Sequence, residues 1–77
     1  SWRDPKSYLQ EISQRVDNQT PVYKVLSEEG PDHDKVFTLG VFVGDNMMGR
    51  GIGPSKQVAQ QQAARAAIAK YKESGEK

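Results

Sequence analysis

The sequence of 77 residues has no cysteine, one histidine, one tryptophan and a formal net charge of only +1. Without cysteine the chain can form neither a disulfide nor a thiolate zinc site, which fits a reducing compartment. No apolar run approaches the roughly 20 residues that a helix needs to cross a bilayer. No signal-peptide pattern opens the chain either. The composition therefore predicts one small, soluble, cytoplasmic domain.

A net charge near zero neither favours nor excludes a nucleic-acid partner, because acidic residues elsewhere can offset a small basic face. The polar ending of the chain, residues 73–77, contains too little apolar surface to pack and is expected to be a flexible tail. Residues 1–3 are expected to be the remnant of a linker. The folded domain is then predicted to span residues 4–72, as one module of a longer protein.

Residues that could form a catalytic or metal centre are scarce. His33 is the only histidine, and the carboxylates are scattered along the chain. The triplet Asp32-His33-Asp34 could attract a metal ion, but in a loop such a triplet is far more often simply solvated. The glycine-rich stretch "GRGIGPSK" lacks the G-x-x-x-x-G-K-[ST] spacing of a phosphate-binding loop. An independent small enzyme therefore has no residues to support it.

Helical patterns are present near both ends of the chain. Asp4 is a good N-cap and Pro5 suits the first helical position, which predicts a helix that ends near Val16. Its apolar side chains share one arc: Tyr8, Leu9, Ile12 and Val16. A separate, outward arc is polar: Ser7, Gln10, Glu11 and Gln14. A second helix is predicted over residues 55–72, with a stripe of mostly small side chains that can lie close to a sheet: Ala59, Ala63, Ala64, Ala67, Ile68 and Tyr71.

Three segments have the composition of strands. "VYKVLSEE" (22–29) and "VFTLGVFV" (36–43) are rich in β-branched and aromatic residues, and "MMGRGI" (47–52) is a shorter strand weakened by glycines. The period of two places four residues of the second strand on one face: Phe37, Leu39, Val41 and Val43. The order α-β-β-β-α predicts an α+β fold, in which both helices pack on one face of a three-stranded antiparallel sheet.

The start of the last helix has features of an anion site. Unpaired N–H groups and the positive end of the helix dipole suit a phosphate. Ser55 and Lys56 add a hydroxyl and a charge, and Gln57 and Gln60 share an arc with Lys56. An ordinary capped, solvent-exposed helix start would carry the same residues. The stretch by itself does not separate these two interpretations.

Taken together and in order, five stretches closely resemble a double-stranded RNA-binding domain: "DPKSYLQE", "TPVYKV", "EEGPDHDKVFTLGVFVG", "GRGIGPSK" and "AQQQAARAAI". The opening stretch and the "EEGPDH" loop are most similar to the C-terminal domain of ribonuclease III. The resemblance covers nearly the whole chain. It implies double-stranded RNA as the partner, recognised by the shape of the A-form duplex.

The resemblance implies three RNA-facing surfaces. The first is the outward face of the first helix, which reads a minor groove and its 2′-hydroxyls: Ser7, Gln10, Glu11 and Gln14. The second is the loop between the first two strands, which enters the next minor groove: Gly30, Pro31, Asp32 and His33. The third is the start of the last helix, which holds phosphates across the major groove: Ser55, Lys56, Gln57 and Gln60.

The third surface departs from the family pattern, which is roughly K-K-x-A-K, or K-K-x-A-E in many ribonuclease III proteins. Here Lys56 is followed by Gln57 where the second lysine would stand, and Gln60 occupies the last position. Each phosphate contact by a lysine adds about 0.9 to the salt slope for B-DNA, which is a guide for RNA. The missing lysines therefore predict weak binding with a shallow salt dependence.

The resemblance also implies a binding module and not an enzyme. In the parent ribonuclease III, Mg²⁺ and catalysis would belong to a nuclease domain absent from this segment, so no cofactor is expected here. The isolated domain is expected to be a monomer with no membrane or small-molecule partner, and the parent a homodimer through its nuclease domain. The alternative is a domain of the same fold that binds another protein, with weak or no RNA binding. Its support is the near-zero charge and the reduced lysine cluster.

Overall fold

The computed structural model describes residues 4–75 of the chain. Its elements follow the predicted order: α1 (Pro5–Asp17), β1 (Val22–Glu29), β2 (Val36–Val43), β3 (Asn46–Gly53) and α2 (Lys56–Glu73). The strands form one antiparallel sheet in the order β1-β2-β3, which confirms the α+β fold. Helix α2 runs one residue into the expected tail. The expected linker at residues 1–3 and the tail residues 76–77 lie outside the described residues.

Local hydrogen bonds explain where α1 begins and ends. The carboxylate of Asp4 accepts a hydrogen bond from the Ser7 N–H at 3.1 Å, and Pro5 occupies the first turn, where its missing N–H is not needed. At the other end, Asn18 has a left-handed backbone with φ of 56°. Its N–H donates to the Gln14 carbonyl at 3.0 Å. Asparagine tolerates this conformation better than most residues, so the helix stops here.

The carboxylate of Asp4 makes part of the stability of the domain depend on pH. Hydrogen bonds from the Gln61 side chain and the Ser7 N–H lower the pKa of Asp4 below its ordinary value of 3.8. A lowered pKa gives stabilisation that is present above the unfolded-state pKa and is lost as pH falls through the folded-state pKa. We therefore expect Asp4→Ala to lower the urea midpoint at neutral pH, and the difference from wild type to shrink below pH about 4. A constant difference down to pH about 3 would contradict a role for the charge.

The core lies between the sheet and the two helices. It is built from fully or almost fully buried side chains of α1, β2 and α2: Leu9, Ile12, Val41, Ala63, Ala64, Ala67 and Tyr71. Ser13 is also completely buried, which the polar pattern of α1 did not predict; its hydroxyl donates to the Gln10 carbonyl at 3.2 Å. Val16, expected on the apolar arc, is 44% exposed. It lies on the rim of an open cleft beside Met48 and Tyr71, where α1 reaches its end.

Helix α2 lies unusually close to β3, because β3 presents glycines to it. Gly49 and Gly51 stand opposite the inward residues Val41 and Leu39 of β2, so they face the helix. A Cβ atom on either glycine would overlap the backbone of α2. The alanine stripe completes the contact, since Ala59, Ala63 and Ala67 are fully buried. The prediction of a small-residue helix face against the sheet is confirmed.

Polar contacts fasten α1 to α2 at both ends of α1. Near its start, the Lys6 ammonium donates to the Gln60 side-chain carbonyl at 2.7 Å, and the Gln61 amide donates to the Asp4 carboxylate at 3.1 Å. Near its end, the Tyr71 hydroxyl donates to the Asp17 carboxylate at 2.5 Å. Burial, and then this hydrogen bond, raise the pKa of the Tyr71 hydroxyl. The two helices run in the same direction and are held as one unit.

Candidate nucleic-acid interface

The first predicted surface is exposed along α1. Its four residues all face solvent: Ser7, Gln10, Glu11 and Gln14. The Ser7 hydroxyl lies 3.4 Å from the Asp4 carboxylate that caps the helix. The Gln14 amide donates to the Thr20 hydroxyl at 2.6 Å, which fixes the orientation of its side chain. The surface therefore presents hydroxyl and amide groups, which can donate to and accept from a 2′-hydroxyl, and a carboxylate, which can accept from it.

The second predicted surface is a tight, exposed turn between β1 and β2. Gly30 has a φ of 96°, and a Cβ atom there would lie 2.6 Å from the Asp34 carbonyl oxygen, so the turn requires glycine. The Asp34 N–H donates to the Pro31 carbonyl at 2.9 Å and closes the turn. The three residues between Gly30 and Asp34 are exposed: Pro31, Asp32 and His33. His33 is therefore accessible to a partner at this turn.

The third predicted surface is the start of α2. The Ser55 hydroxyl oxygen accepts a hydrogen bond from the Val58 N–H at 3.1 Å, so Ser55 is the N-cap. The side chain of Lys56 is 56% exposed, and Gln57 is exposed next to it. Gln60 differs, because it is half-buried and its carbonyl accepts from Lys6. Lys56 and Gln57 therefore form the exposed part of this surface, whereas Ser55 is half-buried as the N-cap and Gln60 connects the two helices.

Comparison with known proteins bears on what these three surfaces are for. The family model described as "Double-stranded RNA binding motif" matches residues 5–71, which includes all five elements except the end of α2. The chain belongs to the double-stranded RNA binding motif family. The double-stranded RNA-binding fold and function expected from the sequence are thus confirmed for this domain as a family member. Which of its residues contact RNA stays a prediction.

Relatives of the double-stranded RNA-binding domain include two bacterial proteins named Ribonuclease 3. The chain is 48% identical over 68 residues to that of Protochlamydia amoebophila, which covers 88% of this chain and 28% of the relative. It is 45% identical over 75 residues to that of Moorella thermoacetica, with coverage of 97% and 32%. The chain therefore spans less than a third of the length of these curated relatives.

Two solved structures are similar to the double-stranded RNA-binding domain. One is Arabidopsis HYL1, a structure described for its implications for miRNA processing; its TM-score is 0.77 at 30% identity, covering 91% of this chain and 99% of that chain. The other is Dicer from Pichia stipitis, with a TM-score of 0.69 at 30% identity, covering 86% of this chain and 32% of that chain. The similarity extends over nearly the whole fold of this domain.

A carboxylate that the sequence did not point to joins the second and third surfaces of the double-stranded RNA-binding domain. The carboxylate oxygens of Glu28 lie 3.3 Å from the Lys35 ammonium, just after the turn, and 3.9 Å from the Lys56 ammonium. Lys35 also lies 3.9 Å from the Asp32 carboxylate. The Lys56 ammonium is 5.9 Å from the centroid of the Phe37 ring. Ion pairs as exposed as these contribute about 0–1 kcal/mol each, so they are easily exchanged for other partners.

A β-bulge in β1 explains the position of Glu28. Val25 pairs with Leu39, but Ser27 pairs with Thr38, so Leu26 is the extra residue. Before the bulge, odd-numbered residues of β1 face the helices; after it, even-numbered residues do. Glu28 consequently stands opposite Phe37, on the side of the sheet that carries α2. Strict alternation would have placed Glu28 on the outer face with Lys24.

Lys6 is another residue beside the predicted surfaces whose contacts were not predicted from the sequence. Besides its hydrogen bond with Gln60, its ammonium lies 5.2 Å from the centroid of the Tyr23 ring, and burial raises the pKa of Tyr23 to about 12. No motif marks Lys6, since its partners are distant in sequence.

Within residues 4–75, no three His, Asp or Glu side chains group closely enough to hold a metal ion. In the same part of the chain, neither helix is long and apolar enough to cross a membrane.

Proposed function

We propose that this domain binds A-form RNA duplexes by shape, as the RNA-binding part of a ribonuclease III. The observation that carries the proposal is the exposure of three polar surfaces on one fold: the outward face of α1, the turn at residues 31–33 and the start of α2. The family match and the Ribonuclease 3 relatives support it. A domain of this kind spans about 16 base pairs, with two minor grooves and the major groove between them.

Each surface has a distinct part in the proposed complex. The side chains of Gln10 and Glu11 bind 2′-hydroxyls in one minor groove, because amide and carboxylate groups match a hydroxyl that donates and accepts. His33 reaches the next minor groove from its turn. The N–H groups at the start of α2, with the Ser55 hydroxyl and the Lys56 ammonium, bind phosphates across the major groove.

The proposal assigns catalysis to the remainder of a longer protein. Hydrolysis of RNA, and the Mg²⁺ that would assist it, belong to a nuclease domain of the parent, which would dimerise through that domain. The domain described here supplies affinity and orientation. Its few lysines imply weak binding by itself, and tethering to a nuclease offsets this by raising the effective concentration of the duplex. A cytoplasmic location, where such RNA is processed, is part of the same proposal.

A binding titration tests the proposed function. The domain is titrated at about 50 mM salt with a duplex RNA of about 20 base pairs, the matching duplex DNA and one single strand, because the family footprint is about 16 base pairs. We expect the RNA duplex to bind at least tenfold more tightly than either competitor. Equal affinity for duplex RNA and duplex DNA would contradict shape-based RNA recognition.

The competing function is that of a protein-binding module with the same fold. The observation that favours it is electrostatic: the Lys56 ammonium, the one lysine at the start of α2, already lies beside the Glu28 carboxylate. A surface neutralised in this way attracts phosphates less strongly. The same titration separates the two functions, since a protein-binding module would show no preference among the three nucleic acids at low salt.

A further inference from the structure

Glu28 lies between two of the surfaces that are predicted to face RNA. One oxygen of its carboxylate lies beside Lys35, at the base of the turn, and the other lies beside Lys56, at the start of α2. The Asp32 carboxylate also lies 3.9 Å from Lys35, so the two carboxylates and the two ammonium groups together carry a net charge of zero. Without Glu28, the same cluster would present +1 to an approaching phosphate.

We propose that Glu28 attenuates RNA binding by competing with RNA phosphates for Lys56 and Lys35. This inference rests on the proposed function and identifies a residue that lowers the affinity of the domain for RNA. In the free domain, Lys56 is paired with Glu28; in the complex, Lys56 exchanges that partner for a phosphate. The exchange releases fewer counterions than binding by an unpaired lysine, because Glu28 has already displaced part of the counterion atmosphere of Lys56. Glu28 therefore lowers both the affinity and its salt dependence.

The contacts of Lys56 support competition between the Glu28 carboxylate and an RNA phosphate for its ammonium group. The Lys56 ammonium lies 3.9 Å from the Glu28 carboxylate and 5.9 Å from the centroid of the Phe37 ring, so in the free domain its neighbours are residues of β1 and β2. The pairing distance of 3.9 Å is long for an ion pair, and the lysine side chain is more than half exposed. An exposed, long pair is readily exchanged. The Glu28 carboxylate also remains close by after the exchange, where it repels the bound phosphate.

The neighbouring acid Glu29 provides a matched comparison. It pairs across the strands with Val36, one position along from the Glu28–Phe37 pair, so its side chain points to the opposite face of the sheet. Replacing either glutamate with glutamine changes the net charge of the domain equally. Only the Glu28 substitution removes a carboxylate from beside Lys35 and Lys56. A difference between the two variants therefore reports position and not net charge.

The experiment compares Glu28→Gln, Glu29→Gln and wild type in titrations with duplex RNA of about 20 base pairs, at salt concentrations from about 50 to 200 mM. We expect Glu28→Gln to bind roughly three- to tenfold more tightly at the lowest salt, with a salt slope steeper by up to about one. Glu29→Gln should change affinity less than twofold. Thermal unfolding of each variant checks that both remain folded at the titration temperature.

The double variant Glu28→Gln/Lys56→Ala tests the mechanism. If Glu28 acts through Lys56, most of the gain from Glu28→Gln disappears when Lys56 is absent, and only the part owed to Lys35 remains. Equal affinities of Glu28→Gln and Glu29→Gln would overturn the inference, as would a full gain in the absence of Lys56. These results differ from failure of the proposed function, which would show as a lack of preference of wild type for duplex RNA over duplex DNA.

Discussion

Replacing Gly51 with alanine is expected to lower the free energy of unfolding by about 3 kcal/mol, a large part of the 5–15 kcal/mol typical of a domain. The added Cβ atom would overlap the Ala59 carbonyl oxygen and the Ala63 nitrogen, and would lie 2.7 Å from the Gln62 Cβ atom. Two of these three groups are backbone atoms of α2, so no side-chain rotation relieves the overlap. The helix must move away from β3, and its alanine contacts with the sheet loosen.

Urea denaturation followed by circular dichroism measures this loss, and Gly40→Ala is the matched control. Gly40 lies on the adjacent strand but on the outer face of the sheet, where an added Cβ atom would meet only side chains: Met47, Leu26 and Phe42. The nearest of these, the Met47 sulfur at 2.9 Å, can move. We expect Gly40→Ala to change stability by less than about 1 kcal/mol. Equal losses for the two variants would contradict the close approach of α2 to β3.

Reversing the charge of Lys56, in the variant Lys56→Glu, is expected to weaken binding to duplex RNA by about 30-fold at low salt. The substitution removes the ammonium that the proposed complex directs at a phosphate. It also places a second carboxylate beside Glu28, whose oxygen lies 3.9 Å from the Lys56 ammonium. Loss of the contact and the new repulsion act in the same direction. The salt dependence of the remaining binding should become shallower.

The control for this variant is Lys70→Glu, which makes the same change in net charge near the other end of α2. The two lysines are about 20 Å apart along the helix. This separation exceeds the Debye length of about 10 Å at 0.1 M salt. Lys70→Glu should therefore weaken RNA binding by less than threefold at about 0.1 M salt. Titration of both variants against the same duplex at this salt concentration measures the difference. Comparable losses would mean that overall charge, and not the start of α2, controls affinity.

Much of the fold was predictable from local patterns. The caps at Asp4 and Ser55, the β-branched runs and the alanine stripe each specify an element and its buried face. These signals depend on residues close together in sequence, so single-sequence reasoning can use them. The three surfaces were predicted from the resemblance to a family, and the structure shows that their residues are exposed except for Ser55 and Gln60, which are half-buried.

The electrostatic setting of the third surface was not predictable in this way. It depends on a bulge at Leu26, which shifts the alternation of β1 by one residue and brings Glu28 to the helix side of the sheet. No residue type at this position marks a bulge, because the shift is set by pairing with β2. The contact of Lys6 with Gln60 is likewise a tertiary pairing that has no local signal. The partners of Glu28 and Lys6 are therefore determined by tertiary structure and not by local sequence.

The hydrogen bonds between α1 and α2 bear on which groove spacing the domain can accommodate. Asp4 and Lys6 connect the start of α1 to α2, and the Asp17–Tyr71 hydrogen bond connects its end, so movement of α1 relative to α2 would break hydrogen bonds at one end or the other. In the proposed complex, these contacts hold the face of α1 that enters a minor groove at a set distance from the start of α2 that binds phosphates. Under the same proposal, a duplex with different groove spacing, such as B-form DNA, is expected to contact one of these two elements but not both. Selectivity for RNA in the proposed complex thus arises partly from stiffness, independently of any contact with a 2′-hydroxyl.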